Sequence, residues 1–208
     1  SAADIRGIID RAIAAANRTR AIIRLPLGTR AKMVFAVTDL DGTVLALHRM
    51  PDATFFSVDV AVAKARNMVY FNSGNRQAAD LPGVPANAAV TSRTISFGSQ
   101  PLFPPGIDET APGPFFELYR RDVENPCSQG LAPADANQNG IVFFAGSLPL
   151  YRNGVLVGGL GVSGDGVEQD DYVTSLAAVG YEAPAQSRAD RVFIDNVRLP
   201  YLKFPRNP

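Results

Sequence analysis

The sequence is short of the side chains that most often build metal, redox and covalent-catalytic sites. Its 208 residues include one histidine, one cysteine and no tryptophan. The single cysteine, Cys127, excludes an internal disulfide and a cysteine-based zinc site. A nucleophile activated by histidine would depend entirely on His48. No G-x-S-x-G motif, phosphate loop or dinucleotide fingerprint is present, so the common catalytic signatures are missing.

Net charge and long apolar runs are missing as well. Lysine plus arginine and aspartate plus glutamate number 20 each, so the formal net charge at pH 7 is zero. Proteins that bind duplex nucleic acid usually carry a basic excess, and a membrane span needs roughly 20 consecutive apolar residues. We therefore expect neither nucleic acid as a partner nor a membrane span. The chain shows no signal peptide, which leaves a cytoplasmic location and export after signal removal both open.

Two hairpins are predicted by turn residues between apolar runs. Asn153-Gly154 separates the predicted strands Leu148 to Tyr151 and Val155 to Val162, and Asn-Gly favours a type I′ turn. Asp39 to Gly42 joins the other pair, which runs from Met33 to Thr38 and from Thr43 to His48. Gly158, Gly159 and Gly161 weaken the strand that holds them. They predict close approach of another group, such as a helix, a subunit or a ligand.

Helical periodicity and punctuation organise the rest of the chain. Apolar spacing predicts helices over Ala2 to Ala16, Ser57 to Phe71 (with Ser57 as N-cap) and Glu168 to Val179. Shorter elements are predicted at Thr91 to Phe97 (strand or helical turn), Phe115 to Arg121 (helix), Ile141 to Ala145 (strand) and Arg191 to Val197 (strand). The proline-rich region between them is too aromatic for a disordered linker and reads as an ordered insertion. This order of elements indicates an antiparallel sheet covered by helices.

Several of these segments together resemble a known family. The strand ending at Leu47 is followed by Arg49-Met50-Pro51-Asp52-Ala53, and the second long helix opens with SVDVAVAKA from Ser57 to Ala65. Gly161-Val162-Ser163-Gly164 is followed by Gln169-Asp170. In this order, the motifs are similar to those of the family of GlcG, the haem-binding protein HbpS and the C-terminal domain of PduO-type proteins.

The resemblance implies a fold and a kind of ligand. It implies an α+β fold with profilin-like or PAS-like α/β/α layers around a five-stranded antiparallel sheet. It also implies homo-oligomerisation and binding of haem or another small ligand. On this basis residues 1–185 form a single family domain with an insertion at about 75–139, and residues 186–208 form an extended C-terminal tail.

Six residues in the matching motifs are candidates for ligand binding: Arg49, Asp52, Lys64, Ser163, Gly164 and Asp170. Lys64 is expected to pair with a ligand carboxylate or with Asp170, or to form a structural salt bridge across a subunit interface. The Ser163-Gly164 corner before the last helix is either an anion site built from free N–H groups or a strand-to-helix turn with Asp165 as cap.

Two further ligand sites are weighed against ordinary structural roles. His48 is the most economical haem or metal ligand because it is the only histidine, but a lone histidine is also commonly a surface or packed residue. Asp135, Asn137 and Asn139 match the first half of a calcium loop, D-x-N-x-N-G. The closing acid of such a loop would fall at Gly146, so the alternative is a polar turn.

Three functions are compatible with these residues. The first is a non-enzymatic, oligomeric ligand-binding domain with its pocket between helix and sheet or between subunits. The second is an enzyme or accessory protein acting on a small hydroxy-acid or aldehyde, with Lys64 and Asp170 as proton-transfer or binding groups. The third is an assembly module whose insertion and tail, Arg188 to Pro208, wrap a neighbouring subunit.

Overall fold

The computed structural model describes residues 1–208 and has a four-stranded antiparallel sheet at its centre, in the order β2-β1-β4-β3. The helices are α1 (Ala2–Ala16), α2 (Ser57–Asn72), α3 (Ser92–Gly98), α4 (Phe116–Glu124) and α5 (Val167–Ala177). The strands are β1 (Val34–Thr38), β2 (Val44–Arg49), β3 (Ser147–Arg152), β4 (Val155–Ser163), β5 (Phe193–Ile194) and β6 (Val197–Arg198). Helices and sheet are thus mixed as the sequence predicted for an α+β fold.

The two predicted hairpins are confirmed, and their turns have the expected chemistry. Asn153 and Gly154 both have positive φ, at 52° and 77°, which is the backbone of a type I′ turn. In the β1–β2 turn the carboxylate of Asp39 accepts hydrogen bonds from the N–H groups of Asp41 and Thr43, at 3.0 and 2.9 Å. These turns set the register in which β1 pairs with β2 and β3 pairs with β4.

Helix α2 packs on the sheet at the glycines of β4. A Cβ atom at Gly159 would overlap the carbonyl oxygen of Ala65, and one at Gly161 would overlap that of Ala61. The group that approaches these glycines closely is therefore the backbone of α2, not a nucleotide or a subunit. The small residues on both surfaces bring helix and sheet into direct backbone contact.

The opposite face of the sheet is covered by α1 and α5, which also contact each other. Residues of β1 are buried throughout, as expected for a central strand with both faces covered. Met33, Met50 and Met68 are buried in the same core, which supports their interpretation as core residues. Helix α1 begins with a capping box in which Ser1 and Asp4 bond each other's backbone N–H groups.

The fifth strand of the sheet is not confirmed. Ile141 to Ala145 is irregular because side chains, not a neighbouring strand, bind its backbone. The N–H of Ile141 donates to Asp122 at 2.9 Å and that of Val142 donates to Asn67 at 2.9 Å. β5 and β6, in the segment predicted as one strand, instead form a separate two-stranded sheet.

The proline-rich insertion is ordered, and buried polar groups of α2 hold it. Asn67 donates to Gln129 and to the carbonyl of Gly140, at 3.1 and 2.8 Å. The Tyr70 hydroxyl donates to the buried carboxylate of Asp80, which also accepts the N–H of Leu131. Further along the helix, Asn72 bonds both the N–H and the carbonyl of Val90. One helix therefore supports the sheet on one side and the insertion on the other.

The C-terminal tail folds back on its own chain. Leu199 is fully buried and Tyr201 is nearly so. The carbonyl of Tyr201 accepts a hydrogen bond from Thr91 at 2.6 Å, and that of Pro200 accepts one from Thr94 at 2.7 Å. The tail thus has an intramolecular packing site in place of the neighbouring subunit considered above.

Helix starts differ in detail from the sequence prediction. Ser57 is the first residue of α2 and not its cap; its hydroxyl bonds those of Thr54 and Ser163 instead. Thr91 caps the short helix α3, which settles the choice between strand and helical turn there. None of the helices combines the length and the apolar character that crossing a membrane requires.

Candidate ligand-binding site

Lys64 and Asp170 form a buried ion pair at the junction of α2, β4 and α5. The Nζ of Lys64 lies 3.1 Å from Oδ2 of Asp170 and donates to the carbonyl of Val162 at 2.8 Å. The ring of Phe144 covers the ammonium, with its centroid 4.7 Å from Nζ. The predicted pairing of Lys64 with Asp170 is present, but within one chain and not across a subunit interface.

Burial dominates the protonation behaviour of this pair. It lowers the pKa of Lys64, and it raises the pKa of Asp170 to about 6 although the neighbouring ammonium opposes the change. Gly146 leaves the space in which the pair meets, since a Cβ there would lie 2.7 Å from Nζ of Lys64 and 2.7 Å from Cβ of Asp170. With no exposed surface on Lys64, the pair supports the fold and does not line a cavity.

Two N–H groups of the glycine corner after β4 are bound by neighbouring carboxylates. The carboxylate of Asp170 accepts the N–H of Asp165 at 3.2 Å, and that of Asp165 accepts the N–H of Gly166 at 2.9 Å. Gly166 is the N-cap of α5, so Asp165 does not take that place. Ser163 is buried and bonds Ser57. The corner is therefore a strand-to-helix turn in which these polar groups bond one another, while no side chain caps the N–H groups of the first turn of α5.

A surface pocket lies next to this corner. It has a volume of about 420 Å³ and is lined by Ile23, Arg24, Leu25, Thr29, Lys32 and Asp52. Arg24 holds its wall together by donating to the carbonyls of Asp52, Lys32 and Gly164, at 3.1, 3.0 and 3.4 Å. Its Nε lies 3.7 Å from Oδ2 of Asp165, and both of these buried atoms lack a hydrogen-bond partner. The pocket thus combines two cations and the carboxylate of Asp52 with exposed aliphatic side chains.

The RMPDA motif lies beside this pocket. Asp52 lines it and has a positive φ of 63°. Arg49 is exposed at the end of β2, donates to the carbonyl of Ala53 and lies over the ring of Phe55, with its guanidinium carbon 5.7 Å from the centroid. Of the six predicted ligand-binding residues, Arg49 and Asp52 are at the surface, while Lys64, Ser163, Gly164 and Asp170 are buried behind it.

His48 is not part of this group. It is the β2 residue next to Arg49, so its side chain projects from the other face of the sheet. There its half-buried ring stacks on that of Phe35, with centroids 6.2 Å apart and an interplanar angle of 7°. The position fits a packed histidine and keeps it away from the pocket around Arg24.

The side chains of the proposed calcium loop bind a guanidinium instead. The amide oxygen of Asn137 accepts a hydrogen bond from Arg66 at 3.0 Å, and Asn139 accepts another from the same side chain. Asp135 accepts the backbone N–H of Asn137. No group of three or more histidine, cysteine, aspartate or glutamate side chains is arranged to hold a metal ion. Because a cation already occupies these oxygens, the arrangement disfavours calcium and favours the polar turn.

Three residues of this region were missed by sequence reasoning. Arg24 and Lys32 lie in a connection without periodicity, and Asp171 follows the Gln169-Asp170 motif without being part of it. Asp171 is fully buried, pairs with Arg93 and accepts the N–H groups of Gly146 and Lys203 at 3.0 Å each. Arg24 could have been found from its neighbours in the sequence, the large apolar residues Ile22, Ile23, Leu25 and Leu27. Clusters of exposed aliphatic side chains in a loop often mark contact surfaces.

The sequence is similar to that of known proteins over most of its length. The family model described as "Haem degrading protein HbpS-like" matches residues 1–178. An uncharacterised 15.0 kDa protein from the dhaT-dhaS intergenic region of Citrobacter freundii is 27% identical over 164 residues, which are 79% of this chain and 86% of that protein. Corrinoid adenosyltransferase PduO of Salmonella typhimurium is 26% identical over 163 residues. These span 77% of this chain but 36% of PduO.

The fold is similar to that of a solved structure. The crystal structure of the PduOC:haem complex has a TM-score of 0.56 and 23% identity, and the match covers 88% of this chain and 96% of that one. The family model begins at the first residue of this chain and ends only after α5. These findings confirm the resemblance carried by the RMPDA, VAVAKA and GVSG motifs. The chain belongs to the HbpS-like family.

Proposed function

We propose that this chain binds a small amphipathic ligand with carboxylate groups, of which haem is the leading candidate, and that it does so as a homo-oligomer. The observation that carries the proposal is the pocket of about 420 Å³ in which Arg24 and Lys32 lie beside the exposed side chains of Ile23 and Leu25. An apolar surface beside two cations suits a ligand with an apolar body and anionic substituents.

The residues present fit the edge of a haem better than its iron. Lys32 would hold the carboxylates together with the N–H of Arg24 that its three bonds to backbone carbonyls leave over, and Arg49 is close by on the RMPDA segment. Bound haem would supply a redox-active iron. The only histidine lies on the opposite face of the sheet. We therefore expect recognition of the porphyrin and its carboxylates to contribute more than coordination by His48.

Homo-oligomerisation is supported by apolar side chains that a monomer leaves in water. β2 is an edge strand, and its Leu45 and Leu47 are each 47% exposed. Phe55 and Phe56 follow it, at 82% and 66% exposed. An exposed edge strand with large apolar side chains is usually covered by another chain.

The alternative functions have less support. An enzyme that uses Lys64 and Asp170 would need substrate to reach them, whereas both are buried and bound to each other. An assembly module that wraps a neighbour with its tail would need that tail free, whereas Leu199 and Tyr201 pack in the chain's own core. Neither alternative has a specific observation in its favour.

The test is a titration of the full chain with haemin, followed at the Soret band, and with iron-free protoporphyrin IX, followed by fluorescence. We expect both to bind, and we expect the dimethyl ester of protoporphyrin to bind at least tenfold more weakly because it lacks the carboxylates. The double variant Arg24→Gln/Lys32→Gln should weaken haemin binding about tenfold or more. The matched control Arg6→Gln/Arg18→Gln removes the same charge from exposed positions elsewhere and should bind normally.

Absence of any spectral change with the unaltered protein would refute the proposal. Equal losses in the two double variants would refute the assigned pocket. His48→Ala should change haemin affinity less than twofold, and a large loss there would show that the iron is bound by histidine and not as proposed.

A further inference from the structure

A second and larger cleft lies between α2 and the insertion. It has a volume of about 700 Å³, within the range of small-molecule sites. Its walls are the β1–β2 turn, the outward side of α2 between Arg66 and Tyr70, the loop after α2 and the segment 129–138. None of its lining residues belongs to the pocket around Arg24. It therefore represents a separate candidate site.

The charges in this cleft disfavour an anionic ligand. Arg66 is its only cationic lining residue, and the guanidinium is already bound to the carbonyl of Gly42 and to the side chains of Asn137 and Asn139. Two carboxylates, Asp41 and Asp135, face the same space. A phosphate or carboxylate ligand would meet these negative charges without a free cation to pair with.

Gln129 provides a fixed donor in the cleft. It is only 6% exposed, and its Oε1 accepts from Nδ2 of Asn67 at 3.1 Å. Asn67 is itself fixed, since its Nδ2 also donates to the carbonyl of Gly140 and its Oδ1 accepts from Val142. This arrangement determines which end of the Gln129 amide faces Asn67, so Nε2 is left for the cleft. No group of the chain accepts a hydrogen bond from that Nε2.

The remaining lining is mostly amide side chains. Asn75, Gln77 and Gln138 line the cleft along with the carboxylates, and Tyr70, which is 8% exposed, contributes a small part of its wall. The Tyr70 hydroxyl is bound to Asp80, so the ring is held in place and its hydroxyl is not free for a ligand. Carboxylates accept from hydroxyl groups, amides both accept and donate, and an aromatic face packs against C–H groups.

We propose that this cleft is a binding site for a neutral polyhydroxylated ligand of the size of a mono- or disaccharide. Its hydroxyl groups would donate to Asp41 and Asp135 and accept from Nε2 of Gln129, while its C–H groups contact the small exposed part of Tyr70. The volume admits a sugar ring with room to spare, and a two- or three-carbon diol would leave most of the cleft filled with water.

The test is a titration of the full chain with D-glucose, D-galactose, maltose and D-sorbitol, followed by saturation-transfer NMR and calorimetry, with glucose 6-phosphate as the charged comparison. We expect at least one of the neutral compounds to bind with a Kd below about 5 mM and glucose 6-phosphate to bind at least fivefold more weakly than glucose. Ala134→Trp fills the cleft from an exposed position and should weaken binding at least tenfold. Ala111→Trp, a matched control at an exposed position outside the cleft, should bind like the unaltered chain.

Gln129→Glu tests the donor directly, because it keeps the oxygen that accepts from Asn67 and replaces Nε2 by a carboxylate oxygen. We expect at least a fivefold loss of sugar affinity in protein whose circular dichroism spectrum matches that of the unaltered chain. The proposal is overturned if none of the four neutral compounds binds, if glucose 6-phosphate binds better than glucose, or if Ala134→Trp and Ala111→Trp behave alike. Because haemin is absent from these titrations, failure here leaves the haem proposal to its own test.

Discussion

Replacing Lys64 by methionine should destabilise the protein severely, and the loss should depend on Asp170. The substitution keeps most of the apolar stem of Lys64 and removes its ammonium. Asp170, which has 2% of its side chain exposed, would then be a carboxylate without a partner cation. Breaking a buried ion pair by removing one member costs about 3–5 kcal/mol. The carbonyl of Val162 also loses the hydrogen bond that Lys64 donates to it.

The second variant that distinguishes this explanation removes both charges. Lys64→Met combined with Asp170→Leu replaces both charges of the pair with apolar side chains beneath Phe144. Replacement of a whole buried pair by apolar groups is often neutral or stabilising, so the double variant should lie above Lys64→Met in stability. Because Asp170 also accepts the N–H of Asp165, we expect a residual loss of about 1–2 kcal/mol. The coupling energy of the cycle should therefore exceed about 2 kcal/mol.

The pH dependence follows from the direction of the pKa shift. Burial raises the pKa of Asp170 to about 6 from 3.8, so its contribution to stability is fully present below pH 4 and is lost as the pH rises through about 6. Lys64→Met removes the cation that opposes this rise, so the pKa of Asp170 is higher in the variant than in the unaltered protein. The difference in stability between the two proteins should therefore grow between pH 5 and pH 8.

Urea unfolding at pH 5 and pH 8, followed by circular dichroism, measures these free energies for all four members of the cycle. Asp170→Leu alone, which leaves Lys64 unpaired, completes it. Additive losses would show that the two groups do not stabilise each other and would refute the reasoning. A loss in Lys64→Met that is independent of pH would show that its origin is packing and not the unpaired carboxylate.

Two further predictions concern packing. Gly161→Ala should destabilise the protein by about 1–3 kcal/mol or more in urea unfolding, because its Cβ would overlap the backbone of α2. The control Gly74→Ala has open space around it and should change stability by less than about 0.5 kcal/mol. Similar values for the two variants would contradict the close packing. Truncation after Ala185 removes the buried Leu199 and Tyr201 and should lower the free energy of unfolding by about 3 kcal/mol or more. Light scattering should show an unchanged number of subunits. A smaller assembly would show that the tail lies in the subunit interface.

The parts of the fold predicted from sequence are those with local chemical signals. Asn153-Gly154 specifies its turn through backbone conformation, and the apolar spacing of Ala2 to Ala16 gave that helix its observed bounds. Ile141 to Ala145 has the composition of a strand, yet the side chains of Asn67 and Asp122 bind its backbone from other parts of the chain. Such a contact between distant residues has no signature in a local window.

In the candidate site, too, residues within sequence motifs could be predicted and residues placed by distant contacts could not. A pair of Lys64 with Asp170 was one of the alternatives suggested by the family motifs that contain them, and the structure shows this pair. Their depth could not be predicted, because it depends on how closely α2 approaches the sheet. Arg24 has no motif and no periodic neighbourhood, so its position between three backbone carbonyls follows only from the path of the loop.

The glycines of β4 have a consequence for how this sequence can vary over time. The space that a side chain would fill at Gly159 and Gly161 is taken by the carbonyl oxygens of Ala65 and Ala61, which lie one helical turn apart. A helix seated in this way has a single register along the strand, and sliding by one residue would set a side chain against the sheet. Lys64 lies between Ala61 and Ala65 in the sequence, so this register also fixes its position opposite Asp170. Drift at either glycine would have to be matched by change in α2, so the strand and the helix are expected to evolve as one unit.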